Sequence, residues 1–348
     1  MKFFETPNPL ELSYLERSII RATAAPRPRR LDSNLLRPTK ADGEIISAPQ
    51  RRMEFFQSDP AHGLGVMKGL PLELLTGIVR ELDLSSCFKF SQVNRYARQV
   101  VCSVPEFRTA ATHARGFSLV LRRSGQGGRF TIVEMDCLLK QQECRECGRF
   151  APFVYIPAAA RCCADCLYND GWSHLGWSHF GWPYNDIASL SRLARALRIS
   201  PPRLRRLVPV MHTNTSSSRS RRVNLVSIQL TIDALSSVSA DIDPDIVDRA
   251  RNAASKGGDW RYVSTTAVPC LDRKTGNLLP LIFCRGCQGV GWEDRRPFYH
   301  SPRTLLQHFP SCYEAKRIFI MDGPGSSVIN SRTLRNMGWA DQEDFMLA

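Results

Sequence analysis

Apolar residues between positions 70 and 82 recur at three- and four-residue spacing: Leu70, Leu74, Leu75, Ile78, Val79 and Leu82 share one stripe. That is the period of an amphipathic helix. Pro71 stands at its first position, where a missing N–H is harmless. Asp83 and Ser85 offer capping oxygens for a second short helix around Phe88 and Phe90, and Val93, Tyr96, Ala97, Val100 and Val101 mark a third. The pattern then shortens: FSLVLRR and RFTIVEM, joined by SGQGG, read as two strands and a glycine-rich turn. No lysine follows those glycines, which argues against a phosphate loop. Farther along, Leu190, Leu193, Ala194 and Leu197 share a helical face, and Leu204 and Leu207 follow a break at Ser200 and Pro201. VNLVSIQLTID reads as a strand, and DPDIVDRARNAA as a short helix opened by Asp243 and Pro244.

These elements divide the chain. Residues 1–68 are rich in Pro, Arg and Ser without a sustained period, and read as a flexible arm with one short helix near Leu10 to Ala22. A three-helix unit over 69–115 comes next, then a β-hairpin and cysteine-rich region over 116–186. A basic helical hairpin and linker occupy 187–222, and a C-terminal region 223–348. The expected class is α+β: a helical N-terminal unit, then a small mixed α/β region held by metal knuckles. Between them DGWSHLGWSHFGWPYND repeats GWSH every five residues, a period that fits neither a helix nor a strand. Trp172, Trp177 and Trp182 with His174 and His179 read as an aromatic loop lying on the adjacent domain, or as a stacking or metal surface.

Composition bounds the function. With 348 residues, 43% of them apolar, the chain holds enough material for two or three modest cores. The first residues lack a basic start followed by an apolar run and a cleavage site, and no apolar stretch approaches the roughly 18 residues that span a bilayer. The expectation is a protein of the cytoplasm or nucleus, without a membrane anchor. There, clustered cysteines are more often metal ligands than disulfides. The net charge of +14 gathers in RPRR, LRISPPRLRRL and SSSRSRR. Such runs serve as import signals or phosphate-binding surfaces, or are simply solvated faces.

Five of the twelve cysteines lie between Cys144 and Cys166. Cys144-x2-Cys147 and Cys163-x2-Cys166 form two knuckles, each turning its thiolates toward one point, and two knuckles complete the tetrahedral sulfur shell of structural Zn²⁺. Cys162 is then a spare thiol or an alternative ligand. A redox pair would need a single C-x2-C opening a helix in a strand-helix-strand unit, so the doubling argues for metal. Cys284 and Cys287 make a third knuckle, with His308 and Cys312 at i and i+4 on a helix opened by Ser301 and Pro302. Pro310 between them leaves His300 open as the third ligand. The quartets lie more than a hundred residues apart, unlike the interleaved ligands of a RING module, so two independent structural Zn²⁺ sites are expected.

Leu70, Pro71, Glu73, Leu74, Leu75, Ile78, Leu82, Asp83, Leu84, Val93, Asn94 and Arg95 together resemble the F-box, the helical motif by which substrate receptors dock onto the adaptor of cullin-based SCF ubiquitin ligases. The resemblance implies an adaptor-facing surface at Leu70, Pro71, Leu74, Leu75, Ile78, Leu82 and Val93, with a cullin reached through the adaptor. It also implies a non-catalytic subunit that presents a target protein. The tryptophan common in the third helix of many F-boxes is replaced by Ala97. The cysteine knuckles and the run through FYHSPRTLLQHFPSCYEAKRIF are similar to segments following the F-box in a family of filamentous-fungal F-box proteins. Among enzyme signatures, the chain has no G-x-S-x-G elbow, no phosphate loop with its lysine and no H-E-x-x-H helix. The competing reading is a nucleic-acid-binding zinc protein, in which residues 187–208 form a helix-turn-helix with Arg203, Arg205 and Arg206 near phosphates. Arg198 holds the turn position where glycine is usual.

Overall fold

Ser13 and Glu16 exchange side-chain and backbone hydrogen bonds in a capping box that starts helix α1, Tyr14–Thr23, which runs directly into strand β1, Ala24–Ala25. The computed structural model describes residues 12–25, 36, 63–168, 186–214, 222–238, 244–253, 259–279, 281–289 and 299–322. The GWSH repeat lies outside them. The expected arm is therefore folded in part: Ile19 and Ala22 of α1 are buried beside Leu305, Phe309 and Phe319.

Residues 69–115 hold four helices where the apolar pattern predicts three: α2 (Leu72–Glu81), α3 (Leu84–Ser91), α4 (Arg95–Ser103) and α5 (Pro105–His113). Asp83 and Asn94 accept the N–H groups of Ser86 and Ala97 and so cap α3 and α4. Val104 is extended because Pro105 follows it, which ends α4 and starts α5. The two strands expected next are helices, α6 (Arg115–Arg123) and α7 (Ile132–Lys140). The strand reading fails because Phe117, Val120 and Leu121, and then Ile132, Met135 and Leu139, sit at helical spacing that shows only over a longer window. A Thr131 and Glu134 capping box fixes the start of α7.

Beyond α7 come β2 (Phe153–Tyr155), β3 (Ala160–Cys162) and α8 (Ala164–Tyr168). They are followed by β4 (Ile187–Ser189), α9 (Leu190–Leu197), α10 (Pro201–Leu207), β5 (Met211–Asn214) and β6 (Arg222–Ser227). VNLVSIQLTID is a strand only as far as Ser227. There the Asp186 carboxylate accepts the Gln229 N–H, the Ser227 hydroxyl accepts that of Leu230, and α11 (Ile228–Val238) begins. Helices α12 (Pro244–Asn252) and α13 (Asp259–Tyr262) lead to β7 (Thr265–Ala267), β8 (Cys270–Leu271), β9 (Leu278–Leu279) and β10 (Ile282–Cys284). The described chain closes with α14 (Arg285–Gly289), β11 (Tyr299–His300), α15 (Pro302–His308) and α16 (Tyr313–Asp322).

The strands form small antiparallel sheets in the orders β1-β10-β11, β3-β2-β7, β4-β6-β5 and the pair β8-β9. Helix and sheet are thus mixed, as the α+β class expects. Among the described residues, no helix is long and apolar enough to cross a membrane. Leu75, Val79, Cys87, Val100, Val101 and Val104 build the helical core at the N-terminal end, and Ile132 of α7 completes it. Leu84 and Ala110 turn the other way, into the large core under β2 and β3. The Leu84 N–H donates to the Phe130 carbonyl, so the helical unit is fastened to the rest of the chain.

Candidate functional site

Helix α2 carries apolar side chains on more than its inner face. Leu75 (1% exposed) and Val79 point into the core, whereas Leu74 and Ile78, one turn apart, stay 56% and 43% exposed. Pro71 is exposed, Leu70 and Leu82 are half-buried against the core, and Val93 is 67% exposed in the turn before α4. Of the seven residues expected to face an adaptor, Leu75 is the one whose side chain is fully committed inward. An exposed Leu72, on the opposite flank of α2, was not anticipated. Isolated exposed apolar residues are ordinary, but an i, i+4 pair beside a proline and a solvent-facing valine forms a surface that association would cover.

The first cysteine quartet is built by two tight turns. Cys144 and Arg149 are joined by a 2.7 Å backbone hydrogen bond, and Gly148 takes the left-handed conformation (φ 70°) that lets Cys147 fold back. On the other side the Cys166 N–H points at the Cys163 sulfur, 3.4 Å away. The four sulfurs lie within 4.8 Å of one another, with Cys147 and Cys163 at 3.5 Å. A tetrahedron of thiolates about 2.3 Å from Zn²⁺ has edges of about 3.8 Å, so the donor set fits that ion. Cys162, the last residue of β3, is not among the four and is buried in the large core.

Between the knuckles Arg161 is completely buried. Its guanidinium donates to the carbonyls of Leu138 (2.8 Å), Ala151 (3.2 Å), Val268 (2.7 Å) and Pro269 (2.6 Å). It ties α7, β3 and the approach to β8 together beside the quartet. Nothing in the string ARCC distinguishes such an arginine from a surface one.

The second quartet joins Cys284, Cys287, His308 and Cys312. Cys312 lies 3.7 Å from both other sulfurs, and the His308 Nε2 lies 3.2 Å from Cys287. His308 ends α15, and a 3₁₀ turn through Pro310 brings Cys312 round, so the two are not on one continuous helix as their spacing predicts. His300 lies outside the four and stacks on His308 with ring centres 4.7 Å apart. Burial works against the charged His308 ring, but the Cys284 and Cys312 thiols outweigh it and raise its pKa to about 9. Hydrogen bonds among the crowded thiols separate their acidities: the Cys284 thiol pushes Cys312 down and Cys287 up. Gly286 is obligatory in this knuckle, since a Cβ there would overlap the Ala315 backbone nitrogen of α16.

The hairpin α9–α10 turns at Arg198, left-handed with φ 57° although it is not glycine. Leu190, Leu193, Ala194, Leu197 and Leu204 are buried and Leu207 half-buried, while Arg192, Arg195, Arg198, Arg203, Arg205 and Arg206 are exposed. Helix α10 is seven residues long.

One comparison sets this geometry among known proteins. The family model described as the F-box domain matches residues 67–109, the segment holding α2, α3, α4 and the start of α5. The chain therefore contains an F-box domain, a module that typifies non-catalytic adaptor-binding receptors. Neither a curated protein nor a solved structure matches the chain.

Proposed function

We propose that this protein is a substrate-recognition subunit of a cullin-based SCF ubiquitin ligase, acting in the cytoplasm or nucleus. One observation carries the reading. Within the F-box match, Leu74, Ile78 and Val93 are left exposed on a unit whose core is already closed by Leu75, Val79 and Ile132. The adaptor would cover this face, with Pro71, Leu70 and Leu82 at its edge. Because Leu84 and Ala110 are fixed in the neighbouring core, the rest of the chain is held in a set orientation to the adaptor. A target bound there would be presented to the ligase's other subunits, which supply the transfer chemistry.

Zn²⁺ would be held by Cys144, Cys147, Cys163 and Cys166, and a second ion by Cys284, Cys287, His308 and Cys312. When bound, it would cross-link the segments that carry these ligands.

Co-purification with the SCF adaptor tests the reading. Leu74→Asp combined with Ile78→Asp should reduce recovery by about 30-fold or more, the loss of a central pair of interface contacts. Both positions are exposed, so the melting temperature should not move. Equal recovery with the double variant, or no capture by the wild type, would refute it.

A further inference from the structure

Beyond the adaptor face and the cysteine quartets, the break between α9 and α10 holds an unspent hydroxyl in a charged setting. The run Ser200-Pro201-Pro202-Arg203 pairs a phosphoryl acceptor with a proline after it and a cation two residues beyond the proline. That is the spacing a proline-directed protein kinase reads. Its apolar pocket after the acceptor suits a residue with no N–H to leave unpaired, and its anionic groups meet the cation farther on. Three Ser-Pro or Thr-Pro pairs occur in the chain, at Thr6, Ser200 and Ser301, and a basic residue three positions after the acceptor follows Ser200 alone.

The fold separates these acceptors further. Ser301 is 3% exposed and its hydroxyl caps α15 by accepting the Thr304 N–H, so an enzyme cannot reach it. Ser200 also stands at a helix start, yet it is exposed and its hydroxyl makes no capping bond. Its backbone is already extended (φ −64°, ψ 141°), the form in which a kinase groove takes a peptide. Pro201 and Pro202 donate no N–H, so the first turn of α10 is closed by the Leu204 N–H on the Ser200 carbonyl, 3.0 Å away. A seven-residue helix begun by that bond belongs to the readily opened parts of a fold. Opening need reach no farther than Arg203, which leaves Leu204 in its core.

The surroundings suit a phosphate. Between Asp186 and Asp233 the chain has nine arginines and no acidic side chain. Arg198 and Arg203 flank Ser200, both are exposed, and neither enters an ion pair among the described residues. We propose that Ser200 is a phosphorylation site for a proline-directed protein kinase using ATP, with Arg198 and Arg203 as counter-charges to the phosphate. The Ser200 oxygen forms a bond to the γ-phosphorus, the bond from that phosphorus to the bridging oxygen of the β-phosphate breaks, ADP leaves, and the hydroxyl proton passes to the kinase's catalytic aspartate. The product carries a charge of about −1.5 to −2 at neutral pH and offsets roughly two of the arginine charges on α9 and α10. Modification is then a charge switch on the hairpin's arginine surface. Adaptor docking plays no part in it.

The test incubates the folded full chain with a cyclin-dependent kinase and ATP and maps the phosphate by tandem mass spectrometry. Phosphate should enter at Ser200 and not at Ser301, and Ser200→Thr should keep the site competent. Pro201→Ala and Arg203→Ala should each lower kcat/KM for this site at least about tenfold, the loss of one recognition contact, with the melting temperature held. If either variant fails to fold, the other decides. Phosphorus NMR of the product should place the second ionisation of the phosphate below about 6, the value without counter-charges, and Arg198→Ala should raise it. Ser200 unmodified in the folded chain, phosphate entering only after thermal unfolding, incorporation unchanged in the folded variants, or a phosphate that titrates as if isolated would overturn the proposal.

Discussion

The two cysteine quartets use similar ligands in opposite settings. The first sits inside the largest core, among Phe153, Val154, Tyr155 and Leu167, with Arg161 bracing the carbonyls around it. The second rests on a small core of its own, whose apolar partners come from both sides of the chain: Ile19 and Ala22 of α1, Leu305, Phe309 and Phe319. Similar chemistry therefore has unequal responsibility. In the first setting a metal would reinforce packing that already exists, and in the second it would substitute for packing.

The largest effect should come from removing metal. A core as small as the second one supplies about 3–5 kcal/mol, against about 10–16 kcal/mol for a structural zinc site. Chelation, or Cys312→Ser, should abolish amide-exchange protection in α1, α15 and α16 while α2 to α7 keep theirs. Protection retained in α1 would show that packing alone holds the module. A smaller effect is expected from Arg161→Met, which removes the guanidinium from the carbonyls of Leu138, Ala151, Val268 and Pro269 and should cost about 3–5 kcal/mol in denaturant unfolding. A loss under 1 kcal/mol would mean that the first quartet needs no brace.

The β4-β6-β5 region, which holds no ligand of either quartet, supplies the control. Burial raises Asp186 from 3.8 to about 6, with hydrogen bonds from Ser227 and Gln229 opposing the rise. A carboxyl whose folded pKa is raised stabilises the fold when protonated. Its contribution of roughly 3 kcal/mol is complete below the unfolded value and is lost as pH climbs through about 6. Roughly 1.3 kcal/mol of it should disappear between pH 5 and 7. The stability difference between wild type and Asp186→Asn, followed over that window, should show this slope, and a flat difference would contradict it.

The cysteines were legible because ligand spacing is a local property: two C-x2-C turns close on one point whatever the rest of the chain does. The F-box stripe was legible for a similar reason, a helix being written in residues three and four apart. What escaped is non-local or decided by short windows. FSLVLRR and RFTIVEM are each too brief to separate a strand from one buried helix turn, and the partners that settle the matter lie elsewhere. Leu75 and Leu74 look alike in sequence, and only the closing of the core by Ile132 and Val100 turns one in and leaves the other out. The role of Arg161 depends on carbonyls contributed from distant positions, so no motif announces it. Pro310 correctly marked the end of a helix, yet the 3₁₀ turn after it still delivers Cys312 to His308.

The pairing of β1 with β10 sets a schedule for the growing chain. Arg285 grips the Ala22 carbonyl across a separation of 263 residues, and Ala24 lies opposite Cys284. At about 5–20 residues per second, the ribosome takes some tens of seconds to deliver that partner after α1 has emerged. Through that interval Ile19 and Ala22 have no core to enter, and the helix they belong to is a natural ligand for a chaperone.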